Sequence, residues 1–238
     1  MNCGAIVDAR VRARSRLHEA VPPHYSPWLH LLGTIGVGLG ALAVALVSMA
    51  RPTARELLTV PVTFLLANLV EWRLHRDVLH RRVPALAALY DRHTPEHHMV
   101  FGYDDMAIRD ARELKLVLMP ALGVAGVVLA VAPVAFGLSR LLGAGTGWLF
   151  LVSAALYVVL YEISHLAYHL PESSFLGRLR LVATLRELHR RHHHPRLMQR
   201  WNFNVTVPLG DLLHGTLLPR EKLEETLVAD RSRSSAER

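Results

Sequence analysis

Gly147–His169 reads GWLFLVSAALYVVLYEISHLAYH. From Gly147 to Tyr161 it is uncharged, and it then meets Glu162, His165 and His169 with no glycine or proline to end a helix. An apolar run of about 15 residues that continues into polar sequence is expected to cross a bilayer and extend beyond it as helix. His165 and His169 are four apart, so they lie on one helical face. Membrane span and paired imidazoles thus belong to one element.

Three more apolar runs share this character. Trp28–Ala50 carries no charge over 23 residues, about 35 Å of helix at 1.5 Å per residue. Leu57–Trp72 ends in Glu71, and His75 directly extends it. Leu116–Ser139 is uncharged throughout. The first run follows 27 residues and is longer than a signal-peptide core, which argues against cleavage. Gly36 and Gly40 within it have the spacing of a helix-packing pair. No strand precedes them, so they are not a nucleotide loop.

Four spans put both termini on one side. The opposite turns, 51–56 and 140–146, hold only Arg51, Arg55 and Arg140 of the 27 Lys and Arg residues. The majority side is therefore predicted to be cytoplasmic. The net charge of +7 is read as setting topology and meeting anionic headgroups, rather than as a nucleic-acid surface. The expected fold is all-α: a polytopic membrane protein with about four transmembrane helices and a cytosolic, histidine-rich helical cap from about 73–113 and 172–220. A basic N-terminal segment, 1–27, precedes the membrane domain, 28–220. A polar tail, 221–238, follows and is expected to be disordered from about Arg231.

The chain has 15 histidines and one cysteine, Cys3, so any metal is held by nitrogen or oxygen. Ten histidines form four clusters on the predicted cytoplasmic side: His75 and His80; His93, His97 and His98; His165 and His169; His189, His192 and His193. His93 shares a helical face with His97, and His189 with His192 and His193. Pro95 is expected to start a new helix capped by Thr94. His75 and His80 are five apart and share no face on a straight α-helix. His194 falls off the face of its cluster and is excluded as a ligand. His18, His24, His30 and His214 stand apart and are read as structural or interfacial. Neutral imidazole suits iron, copper, nickel and zinc, and ten imidazoles exceed the needs of one metal. Glu71 and Glu162 each lie one turn before a histidine, where a carboxylate can accept the ring's other N–H. The alternative for both is a membrane-end carboxylate paired with arginine. The chain also reads as two halves, each with two apolar runs, a glutamate, a histidine pair and a tighter histidine cluster.

The order His75-x4-His80, His93-x3-His97-His98, His165-x3-His169, His189-x2-His192-His193 resembles the histidine boxes of the fatty acid hydroxylase/sterol desaturase superfamily. The stretch 202–216, NFNVTVPLGDLLHGT, is similar to the segment after that family's last box. The resemblance, over about 60–217, implies a site of two non-haem iron ions held by these ten histidines, with zinc acceptable to the same imidazoles. It also implies Asn202 and Asp211 as supporting residues beside Glu71 and Glu162. The expected function is hydroxylation or desaturation of a lipid C–H bond with O2, electrons arriving from a ferredoxin or a cytochrome b5-like donor with its reductase. Arg186, Arg190, Arg191, Arg196 and Arg200 surround the last box and would dock an acidic donor or anionic lipid. The rival readings are a histidine-rich membrane metal transporter, a zinc-dependent lipid hydrolase and a non-catalytic lipid-binding relative. Against transport, the third run carries no His, Asp or Glu. Reporter fusions at the two termini are expected to give the same cytoplasmic signal; a lumenal or periplasmic signal from either would break the topology.

Overall fold

The computed structural model describes residues 3–236, with side-chain surroundings for 8–232. Among these the chain is helical, without a strand. α1 (Cys3–Ala20) precedes the membrane helices. α2 (Pro27–Ser48) opens on Ser26, whose hydroxyl accepts from the Leu29 N–H, with Pro27 pre-set for the first turn. α3 (Thr59–Leu74), α4 (Ala121–Leu142) and α5 (Ala144–His169) follow. Gly143 alone joins α4 to α5, at a φ of +112° that suits only glycine. α6 (Arg180–His192) and α7 (Arg220–Ala236) complete the longer helices.

α5 is the central post and packs on α2, α3 and α4. Its apolar window is 39% buried, against 17–22% in the other three candidate spans. Leu29, Val47, Leu122, Leu129 and Phe136 point outward from the bundle and are exposed, as hydrocarbon-facing side chains are. α5 runs unbroken through His165 and His169, matching the expected continuation past the bilayer.

Three local expectations need correction. Gly36 and Gly40 face open space; Gly38 is the contact glycine, where a Cβ would stand 2.6 Å from Val159 Cγ2. The third apolar run is not one continuous helix from Leu116. A short turn, Leu114–Val117, stops at extended Leu118, and α4 begins after Pro120. Proline lacks an N–H and pushes its predecessor out of helical geometry, which frees the backbone of 117–119 for other partners. The tail is helical to Ala236 rather than disordered. Leu223 is buried with Leu197 and Leu218, Leu227 packs beside them, and Asp230 takes Arg196 and His194. Those few anchors were hidden in a polar composition. Residues 237–238 lie outside the described residues.

The close α4–α5 approach can be tested at Gly147, where a Cβ would collide with the Ala135 carbonyl and Ser139. Gly147→Leu should destabilise the protein by about 1–3 kcal/mol through overpacking. Gly40→Leu, which meets nothing, should stay within about 0.5 kcal/mol. Thermal unfolding in detergent reads the difference.

Candidate metal centre

The five-residue separations are resolved by π turns. Over His75–Leu79 the helix widens, and the His80 N–H bonds the His75 carbonyl at 3.1 Å. Over His93–His97 the same widening bonds the His98 N–H to the His93 carbonyl. Bonding from i to i+5 brings residues five apart to one side. His75 thus joins His80, and His93 joins His98. The expected new helix at Pro95 does not form. Thr94 is no cap; its hydroxyl donates to the Leu79 carbonyl at 2.7 Å and stands 3.2 Å from His80 Nδ1.

The histidines gather into two adjoining groups. His75, His80, His93, His98 and His192 form the first; His97, His165, His169 and His189 form the second, ligand atoms in each lying within 4.8 Å of one another. His193 joins the second, its Nε2 at 3.3 Å from His97 Nε2 and 3.1 Å from His189 Nε2. Its ring also stacks on His98 at 4.2 Å, linking the groups. Two shared-face expectations are corrected here. His93 parts from His97, and His192 parts from His189 and His193. Each half of the chain sends one imidazole, His97 or His192, into the other half's group.

All ten rings are buried. Six have a fixed acceptor at Nδ1. His75 uses the Phe203 carbonyl, His165 that of Val117 at 2.9 Å, and His169 that of Met106 at 2.8 Å. His192 uses the Trp201 carbonyl at 2.8 Å, His193 that of Phe101 at 2.6 Å, and His80 the Thr94 oxygen. A carbonyl only accepts, so Nδ1 carries the hydrogen and Nε2 presents a bare lone pair. Burial, with neighbouring imidazoles adding to it, depresses the pKa values of His80, His93, His97, His98, His189 and His193. Burial takes His192 down to about 4. At neutral pH these rings are uncharged.

His80 and His192 both have Nδ1 held, so their Nε2 lone pairs face each other at 2.9 Å and repel unless a cation lies between them. Paired Nε2 atoms stand 2.9–3.3 Å apart. Two nitrogens bound at about 2.1 Å to one ion, at right-angled or tetrahedral geometry, stand about 3.0–3.4 Å apart. His165 Nε2 is buried without any partner. The donor set fits transition-metal ions. A family model, Fatty acid hydroxylase, matches residues 60–216. The chain belongs to that family. The matched segment contains all ten histidines. No curated protein and no solved structure matched the chain. Family and spans together mark this hydroxylase-family chain as an integral membrane protein, and its buried histidine groups fit a di-iron oxygenase.

The four supporting residues act through the backbone around the imidazoles, and the two glutamates do not accept from the rings as expected. Glu71 does not accept from His75. It accepts from the Val205 and Thr206 N–H groups and from the Thr206 and Tyr157 hydroxyls. Glu162 does not accept from His165. It accepts from the Met119 N–H at 3.0 Å and so steadies the segment freed by Pro120, whose Val117 carbonyl holds that histidine. Asp211 accepts from the Phe203 and Asn204 N–H groups at 2.9 and 2.8 Å, bracing the carbonyl used by His75. Asn202, at φ +57°, donates to the Leu188 carbonyl and sets Trp201 beneath His192. Asn68, not among the residues expected from the sequence, is buried between Tyr157, Thr206 and Val207 and ties the 204–210 segment to α3.

The lone histidines are structural where they have contacts. His30 bonds Tyr25 and the Met119 carbonyl, His214 stacks on Trp72 at 3.8 Å, and His194 turns to Asp230 at 2.9 Å. The open basic surface expected around the last box is largely engaged. Arg186 is buried, Arg190 and Arg191 pair with Glu187, and Arg196 pairs with Asp230. Asp211→Ala should release the Phe203 carbonyl and weaken metal binding at the first group about 10–100-fold, the usual cost of an outer partner. Competition with a chelator measures it; unchanged affinity would refute the bracing role.

Proposed function

We propose that the protein is a membrane-bound non-haem di-iron oxygenase that hydroxylates or desaturates a C–H bond of a lipid, using O2 and electrons from a separate donor. The observation that carries this reading is the pair of adjoining imidazole groups, buried, uncharged and aimed inward at the ends of membrane helices. His75, His80, His93, His98 and His192 would hold one ion, and His97, His165, His169, His189 and His193 the other. Bound iron supplies the chemistry that no side chain here has, activation of O2 against an unreactive C–H bond.

The chain's own part is placement. α3 and α5 run from the apolar bundle directly into the histidine groups, so a lipid tail lying along the spans reaches the site without crossing water. Phe101 and Phe203 line the imidazole groups and are fully buried, which keeps water from the reacting end of such a tail. The backbone carbonyls hold the ligand tautomers, so no proton has to leave the rings when metal binds at neutral pH.

The purified protein should contain two irons per chain, with zinc an acceptable substitute in the same imidazole sites. His189→Ala should lower the metal content and cut activity by at least about 100-fold, the upper end of what losing even an outer partner costs. The exposed His24→Ala should change neither. A hydroxylated product should carry ¹⁸O from ¹⁸O2. Label from water only would exclude hydroxylation by this route, and turnover under strict anaerobiosis would exclude the di-iron reading.

A further inference from the structure

α1 lies outside the segment that matches the family, yet its polar side chains reach the loop beside the second histidine group. That loop, 100–107, carries two of the six fixed acceptors. The Phe101 carbonyl holds His193, and the Met106 carbonyl holds His169. The loop closes on itself only by the paired Gly102 and Asp105 backbones, at 3.0 and 3.1 Å. Backbone bonds at 2.8 Å tie each end to a histidine, Phe101 N–H to the His97 carbonyl and Ile108 N–H to the His169 carbonyl; joining the two ends to each other falls to a side chain.

Arg14 is positioned to do so. Its Nη2 donates to the Val100 carbonyl at 3.4 Å and to the Ala107 carbonyl at 3.1 Å, one neighbour of each acceptor residue. The same nitrogen stands 3.3 Å from Asp105, and Nη1 is 3.2 Å from Glu113, which is fully buried. The guanidinium lies 5.6 Å from the centre of the Phe101 ring, whose other contacts are His97 and His169. Ala13 and Leu17 pack beside it on Val100, Phe101, Leu116 and Val117. Nη2 thus bridges both ends of the loop while Nη1 holds them to Glu113, a fixed fork that a point charge cannot copy.

We infer that Arg14 is a positioning residue for the second histidine group, acting through the 100–107 loop, and that α1 is a strap without which that group does not hold its metal. This rests on the proposed metal-binding reading. It goes beyond that reading by assigning a selective role to a helix outside the family segment. The first group has no acceptor on this loop, so the effect should fall on one metal of the two.

The experiment uses the full chain in detergent or nanodiscs, with iron per chain and amide exchange as readouts. Arg14→Ala should halve the iron content and speed exchange over 100–107 by about tenfold, with the spans still protected. Arg14→Lys, which keeps charge but not the fork, should fall between Arg14→Ala and wild type on both readouts. Adding Arg14→Ala to His189→Ala should remove no further iron, whereas adding it to His80→Ala should remove most of what remains, since coupling is confined to residues sharing a site. Unchanged iron and exchange in Arg14→Ala would overturn the inference, and so would equal loss of both irons with unfolding of the spans in Arg14→Lys as well. A wild-type protein that binds no metal would overturn the proposed function instead; exchange over 100–107 would then still decide whether Arg14 holds the loop.

Discussion

An imidazole has two nitrogens, and fixing the hydrogen on one fixes the lone pair on the other. In this chain the hydrogen is fixed by main-chain carbonyls at five rings and by the Thr94 hydroxyl at a sixth. Each carbonyl must in turn lie outside regular helix, because a helical carbonyl is already spent on its own ladder. The breaks in the fold are therefore where the site needs them. Pro120 interrupts the third apolar run and exposes Val117. The 100–107 loop exposes Phe101 and Met106. The non-helical stretch after α6 exposes Trp201 and Phe203. Asp211, Glu162, Asn202 and Arg14 hold those breaks in place, which is why none of them needs to touch a ring.

The arrangement is costly without its ion. Ten imidazoles are buried with paired Nε2 atoms 2.9–3.3 Å apart, and at His80 and His192 two lone pairs face each other. Folding alone does not favour such a cluster over an apolar core. Metal binding removes the repulsion and favours the folded state by the full binding free energy, since an unfolded chain offers no such site. The surrounding carboxylates Glu71 and Asp211 each accept several hydrogen bonds, while Glu162 Oε1 and the Nδ1 atoms of His97, His98 and His189 are buried without a partner.

The four spans were legible because hydropathy and length are summed over many residues and survive local error. The ten histidines were legible because so many imidazoles, so closely spaced, serve little purpose in a chain that holds no metal. Their partition was not. Spacing on an ideal helix pairs His93 with His97 and gathers His189, His192 and His193, whereas the π turn and the end of α6 sort them otherwise. A local widening of a helix has no composition of its own. The acceptors escaped for a deeper reason: five of the six are backbone atoms, which every residue carries. Glu71 and Glu162 were found by their distance in sequence from a histidine, and their real partners proved to be distant segments, 205–206 and Met119. The same blindness hid α1, read as a basic segment although Arg14 is buried against Glu113, 99 residues away.

The exchange of His97 and His192 between the halves bears on how the site forms. Were each half self-sufficient, one group could close before the other half arrived. As it stands, the first group needs His192 and the Phe203 carbonyl, 128 residues from His75, while the second needs His97 and the Phe101 carbonyl from the first half. Neither group is complete until the two pairs of spans have come together around α5 and the closing segment has locked onto Asn68 and Glu71 at the membrane end. Contacts of such separation form late, because the chain must be ordered over long loops before they form. The spans and their short connections are local and need no metal. The two histidine groups are thus complete only on an assembled bundle.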